Sequence, residues 1–338
     1  MAATVVCTCL GANEDALYPT VLRAAGLASA LGIRFMVLTF YPLPAASQTS
    51  LIDVGALVYA APPQTSPGAE LRVTIMAATQ LVTADAYVVW MEPSQDDFVR
   101  FAAQLTSMME DSDCVDIIMP TRGATSGSAY PAQQVHAEAL GNLYLNTLLA
   151  SHSATIAAYS QRPSKSAQVD WFFGPVVMRA SLAHHWHSSS SAPLPDEPRT
   201  KSSLISLLRA VRAGAKLATP EIAYVHRPSS LQLVQPAGSV GGGRVATPPA
   251  GESIAIEDVQ YQWFRLEATI RAISDEIREL ARATVAQTMA HSAATQEAAV
   301  AGGGAPLSSA TQAPPPQGET TYNLHELLPH VFPARRAP

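Results

Sequence analysis

The chain has 338 residues, enough for one to three domains and at least one sizeable core. Its formal net charge is −6, with no basic stripe, which argues against a nucleic-acid partner. No apolar run approaches the ~20 residues of a membrane helix, and no basic stretch followed by an apolar one marks a secretory leader. A soluble, cytoplasmic protein is the expectation.

From the first residues to about 230, strand and helix signals alternate. TVVCTCL (4–10) opens as a strand and runs into the polar turn GANED. Cys7 and Cys9 lie two apart and so share one face, where they read as small core residues in a reducing compartment. A helix follows over 15–31, with Leu17, Val21, Leu27 and Leu31 near one face and Gly32 to end it. IRFMVLTF (33–40) and ALVYA (56–60) read as strands, with 42–55 too irregular to assign. A helix over 70–83 leads into AYVVWM (86–91), an apolar strand that stops on Glu92 and Pro93. Asp96 and Asp97 then open a helix to 110. VDIIMP (115–120) is a further strand, 131–151 a long helix and FFGPVVM (172–178) another strand. A helix over 201–214 ends on Gly214, and EIAYVH (221–226) closes the series.

Such alternation specifies an α/β fold with a mostly parallel sheet between helical layers. Ligands of these sheets bind beyond the carboxyl ends of the strands, which is where Glu92 stands.

Composition shifts after 232. Residues 233–253 are rich in Gly and Pro and read as a linker. In 254–300 the apolar residues Ile256, Val259, Trp263, Leu266, Ile270, Ile273, Ile277 and Leu280 alternate in steps of three and four. This seam suits either a coiled coil, giving a homo-oligomer through 256–280, or a helix docked on its own domain. Residues 301–338 are low in complexity and read as a disordered tail.

Candidate functional residues fall in a particular order. Asn13 and Glu14 follow the first strand, Arg72 lies early in the helix before Glu92, and Arg122 and Glu138 come next. Asp170 precedes the Gly174–Pro175 strand, Asp196 and Glu197 precede a helix, and His226 ends the last strand. No G-x-G-x-x-G and no phosphate-loop lysine is present, which disfavours a dinucleotide enzyme, an ATPase or a nucleotidyltransferase. His184, His185 and His187 lack the spacing or the cysteines of a zinc site.

This order resembles that of GT-A glycosyltransferases, close to the family 2 type, over residues 3 to 230. The matching segments are Ala12-Asn13-Glu14, the strand ending at Glu92, Asp170 with Gly174, Pro175 and Arg179, the Asp196–Glu197 pair, and Ile222 with His226 and Arg227. The resemblance implies a GT-A-like three-layer sheet and transfer of a sugar from a nucleotide-diphosphate donor to an acceptor hydroxyl. It assigns Asn13 and Glu14 to the nucleotide, Arg72 and Glu92 to the diphosphate, and Asp170, Gly174 and Glu197 to the acceptor side, with Glu197 as base. Mn²⁺ or Mg²⁺ would be held by Glu92 and His226.

The chemistry has a physical logic. A departing diphosphate needs its charge neutralised, by a hard cation on carboxylates or by an arginine fork. The acceptor hydroxyl must give its proton to a nearby base. The departure lies at Glu92-Pro93-Ser94, where the family carries Asp-x-Asp. Asp96 or Asp97 would have to compensate, or Arg72 would replace the metal. A second reading follows from that departure: a catalytically degenerate binding or assembly module that oligomerises through the C-terminal helix. Structural roles for Glu92 remain open beside these, as a helix cap or as an ion-pair partner of Arg72.

Overall fold

The computed structural model describes residues 3–11, 14–112, 114–123, 132–151, 169–187 and 199–225, and beyond them 267, 269–279, 281–282, 285–286, 289–290 and 292–295. Asn13, Glu197, His226 and the first half of the heptad pattern (256–266) lie outside the described residues, as do the linker and the tail.

Nine strands and seven helices are formed by the described residues, apart from the C-terminal helical stretches. β1 (Thr4–Leu10), β2 (Arg34–Thr39), β3 (Leu57–Ala60) and β4 (Tyr87–Trp90) come first. β5 (Ile117–Ile118), β7 (Val176–Arg179) and β8 (Leu217–Ala218) complete a seven-stranded sheet in the order β3-β2-β1-β4-β7-β5-β8. β6 (Thr121–Arg122) and β9 (Glu221–Ile222) form a separate parallel pair. All pairings in the main sheet are parallel except those of β7, which runs antiparallel to both β4 and β5. The α/β class and the mostly parallel sheet are those expected from the alternation of elements.

β1 is buried on both faces from Val5 to Leu10, which is why its sequence is continuously apolar rather than alternating. Val6 and Leu10 point into a core shared with Val21, Ala24 and Ala28 of α1 (Tyr18–Ala30) and Val99, Ala102 and Leu105 of α4 (Val99–Glu110). The opposite face is covered by α3 (Pro67–Thr79) and α7 (Arg199–Arg212), with the short α6 (His184–His187) beside them. α2 (Ala45–Asp53) and α5 (Ala132–Ser151) complete the set.

Local signals fix several boundaries. Ser66 caps α3 by accepting from the Ala69 N–H at 3.2 Å, and Pro67 supplies the first-turn geometry. Gly32 (φ 67°) and Gly214 (φ 103°) turn the chain after α1 and α7 in the left-handed region, the termini that the sequence marks with glycine.

The helical residues 269–279 use the described part of their heptad seam within the chain. Ile270, Ile273 and Ile277 are buried. Ile270 lies over Gly141 of α5, where an added Cβ would stand 3.3 Å from its Cδ1. Glu276 accepts from Arg209 of α7 at 3.3 Å. The outer face carries the exposed pairs Arg271–Glu267, Arg278–Asp275 and Arg282–Glu279. The chain divides after Ala290, and in His291–Pro338 the described residues 292–295 are helical and exposed.

Candidate active site at the ends of β1 and β4

The order β3-β2-β1-β4 creates a switch point. From β1 the chain steps outward to β2 and β3, then returns to the other side of β1 as β4. The loops after β1 and β4 therefore diverge and leave a crevice between the two carboxyl ends. Gly11 and Glu14 follow β1 there, and Glu92 follows β4.

Four charged side chains converge on that crevice. Arg199, in the first turn of α7, donates from NH1 to Glu14 Oε1 at 2.5 Å and from NH2 to Glu14 Oε2 at 2.8 Å. The same NH2 donates to Glu70 Oε2 at 2.7 Å. Glu92 Oε2 stands 3.8 Å from NH1. Arg199 is only 9% exposed, so its charge rests on these carboxylates rather than on water. Gly11 makes the arrangement possible: a Cβ there would meet both Glu70 carboxylate oxygens at 2.9 Å. Its own N–H donates to Glu14 Oε2 at 2.7 Å.

The acids respond to this setting. Burial raises Glu92 to about 7, and Glu14 adds to the rise while Arg199 opposes it. Glu70 is also raised by burial, against the pull of Arg199. Arg199 stays charged, because its carboxylate neighbours outweigh burial. Burial pushes the Cys9 thiol beneath them well up, leaving it inert.

Gly174 meets the site from the other side. It adopts φ 100°, a conformation that suits glycine, and a Cβ there would stand 3.1 Å from Glu92 Cγ. Gln95 joins the two segments: its Oε1 accepts from the Glu92 N–H at 3.2 Å and its Nε2 donates to Phe173 O at 2.8 Å.

Asp170 sits behind this segment in a network of its own. Arg122 donates to it from Nε at 2.6 Å and from NH2 at 2.9 Å, and Asn142 donates at 3.0 Å. Glu138 accepts from the same Arg122 NH2 at 2.7 Å. Burial works against the Asp170 charge, but the bonds and charge of Arg122 prevail and hold its carboxyl below the usual range. Asn142 also accepts from Trp171 N–H at 2.8 Å, and Asn146 from Val169 N–H at 2.9 Å. The network thus fastens 169–171 to α5.

Of the residues singled out in the sequence, Glu14, Glu92 and Gly174 come together. Arg72 donates to Ser202 Oγ at 2.7 Å and ties α3 to α7, while the cation facing Glu92 is Arg199. Asp96 and Asp97 do not compensate for Ser94. Asp96 is buried against Arg23 Nε at 2.7 Å, and Asp97 holds Arg100 at 3.1 Å. Among the described residues, no group of three or more His, Cys, Asp and Glu side chains is disposed to hold a metal ion. The described donor set does not fit a divalent metal, since Glu92 has a guanidinium beside it and no second carboxylate from its own loop.

Arg199 and Glu70 escaped the sequence reading. One signal was present: an arginine in the first turn of a helix opposes the helix dipole and calls for acidic partners.

A cavity of about 460 Å³ opens at the ends of β2 and β3, lined among others by Thr39, Tyr41, Leu43, Gln48, Tyr59 and Pro63. Burial and the neighbouring Asp15 carboxylate push the Tyr41 phenol up. Among the described residues, no helix is long and apolar enough to cross a membrane.

No protein-family model matches the sequence, and no curated protein matches it. Among solved structures, the chain is similar to glucosyl-3-phosphoglycerate synthase from Mycobacterium tuberculosis. The complex of that enzyme with uridine-diphosphate aligns with a TM-score of 0.45 at 13% identity, covering 81% of this chain and 80% of that one. Its complex with Mn²⁺, uridine-diphosphate and glucosyl-3-phosphoglycerate aligns with a TM-score of 0.41 at 13% identity, over 69% and 77%. The phosphoglyceric acid complex gives 0.39 at 14%, over 69% and 78%.

Proposed function

We propose that the protein is a GT-A-like glycosyltransferase that moves a sugar from a nucleotide-diphosphate donor to an acceptor hydroxyl. One observation carries the reading. The switch-point crevice gathers Glu14, Glu92 and Gly174, three residues that the sequence resemblance assigns to donor and acceptor, from three separate segments of chain.

The donor would lie across the carboxyl ends of β1 and β4, with its nucleotide toward the Asn13–Glu14 turn. The cavity beyond β2 and β3 has the size and the aromatic lining of a small-molecule pocket and would take the base. Glu92 would face the diphosphate, and Arg72 would support that side through its place on α3. Gly174 would let the acceptor approach Glu92 closely, with Asp170 holding that segment in place. Glu197 would remove the acceptor proton.

The second reading, a binding module that has lost catalysis, is favoured by a single observation: Glu92 is the only carboxylate that its loop sends to the site, with Ser94 in the second position and Asp96 and Asp97 engaged elsewhere.

A thermal-shift screen of uridine-, guanosine- and other nucleotide-diphosphate sugars, on wild type and Glu92→Ala, tests the proposal. A donor at ~100 times its dissociation constant stabilises by ~2.7 kcal/mol. The expected result is a shift with one donor family that Glu92→Ala weakens. Absence of a shift with every donor would remove the transferase reading.

A further inference from the structure

We infer that Arg199 is the resident cation of this site, standing where a divalent ion would otherwise sit among the carboxylates of Glu14, Glu70 and Glu92, so that nucleotide-diphosphate binding needs no metal. The inference rests on the glycosyltransferase reading and deepens it.

Three features carry it. First, the carboxylates come from three separate segments of chain: the turn after β1, the first turn of α3 and the end of β4. Each presents an oxygen to one guanidinium, at 2.5–2.8 Å for Glu14, 2.7 Å for Glu70 and 3.8 Å for Glu92. All three acids are therefore neutralised by the same guanidinium, which occupies the space between them.

Second, the loop acids that could complete a metal site at Glu92 point elsewhere. Asp96 is buried against Arg23, and Asp97 pairs with Arg100. A metal at Glu92 would have to share its first neighbours with a guanidinium that cannot deprotonate and is almost wholly buried.

Third, the guanidinium is not saturated. Its Nε–H is buried and meets no acceptor among the described residues. A buried donor of this kind is costly unless an acceptor completes it, and a phosphate oxygen is a suitable one. Gly11 preserves the geometry, since any larger residue would strike Glu70 and displace it from Arg199.

The test uses the full-length chain and two readouts. Mn²⁺ is titrated against wild type, Arg199→Met and Glu92→Gln, with free Mn²⁺ followed by its electron paramagnetic resonance. Separately, the melting shift produced by uridine or guanosine diphosphate on wild type is compared in EDTA and in Mn²⁺. The inference predicts no bound Mn²⁺ in wild type and measurable Mn²⁺ binding in Arg199→Met, where three carboxylates lose their cation. It also predicts equal nucleotide shifts in EDTA and in Mn²⁺. Wild-type Mn²⁺ binding that Glu92→Gln abolishes, or a nucleotide shift that appears only with Mn²⁺, would overturn it. The second readout decides the matter even where Arg199→Met does not fold. If no nucleotide shifts the melting point under either condition, the transferase reading fails, and the wild-type Mn²⁺ titration still judges the resident cation.

Discussion

Glu92 is a carboxyl held against its preference. Burial lifts it to about 7, so the folded protein binds a proton there that the unfolded chain releases near pH 4.5. The native state then binds more protons than the unfolded state between these values, and stability falls as pH rises from about 4.5 through 7. The cost is at most about 3 kcal/mol above pH 7. Glu92→Gln, a neutral mimic, is expected to raise the melting temperature at pH 8 and leave it nearly unchanged at pH 5. A lower melting temperature at pH 8 would mean that the ionised form is the stabilising one. Asp170 behaves in the opposite sense. Its folded value is depressed by Arg122, so its contribution is complete above about pH 4 and fades as pH falls through that depressed value. Asp170→Asn leaves the buried Arg122 short of its main partner and is expected to cost about 3 kcal/mol at neutral pH, measured by urea unfolding. The position of Glu92 was legible in the sequence because the apolar run AYVVWM stops there, at the carboxyl end of β4. Arg199 was harder to see, because its meaning depends on Glu14, Glu70 and Glu92, which lie between 107 and 185 positions away along the chain.

At the scale of elements, the long strands and helices followed from periodicity and glycine stops. The exceptions have physical causes. β6 and β8 are two residues each, too short for a period-2 pattern, and are defined by the strands they pair with. α2 was obscured because it buries only Leu51 and carries Ala, Ser and Thr elsewhere, which leaves no apolar stripe to read. The antiparallel run of β7 has no local signature at all; direction is set by where the preceding chain delivers it. The heptad seam pointed first to a second chain and only then to this one, yet a narrow apolar stripe fits a groove between two helices as well as a partner coil. Ile270, Ile273 and Ile277 fill such a groove beside α5 and α7. Ile273→Ala is expected to destabilise the domain by about 2–4 kcal/mol with a melting temperature independent of protein concentration. If this helix instead pairs two chains, melting will rise with concentration.

For the whole molecule, sheet order is what converts scattered residues into a site. β1 and β4 are neighbours whose connections leave in opposite directions, so Glu14 and Glu92 meet although 78 positions separate them. β7, inserted beside β4, brings Gly174 to the same place, and α7 begins where Arg199 can reach all three acids. The sequence made the crevice readable through its strand ends, whereas the ion cluster inside it became visible only once α3 and α7 were placed over the sheet. A sugar transferase should use this crevice to break the bond between sugar and diphosphate. The decisive measurement is release of nucleoside diphosphate from the donor that binds, followed over time with wild type and with Glu92→Ala. The account predicts slow release by the wild type even with water as acceptor, and a loss of about 100-fold or more in the variant. Binding of donor with no release by the wild type, with or without candidate acceptor alcohols, would contradict it and leave a nucleotide-sugar-binding module in its place.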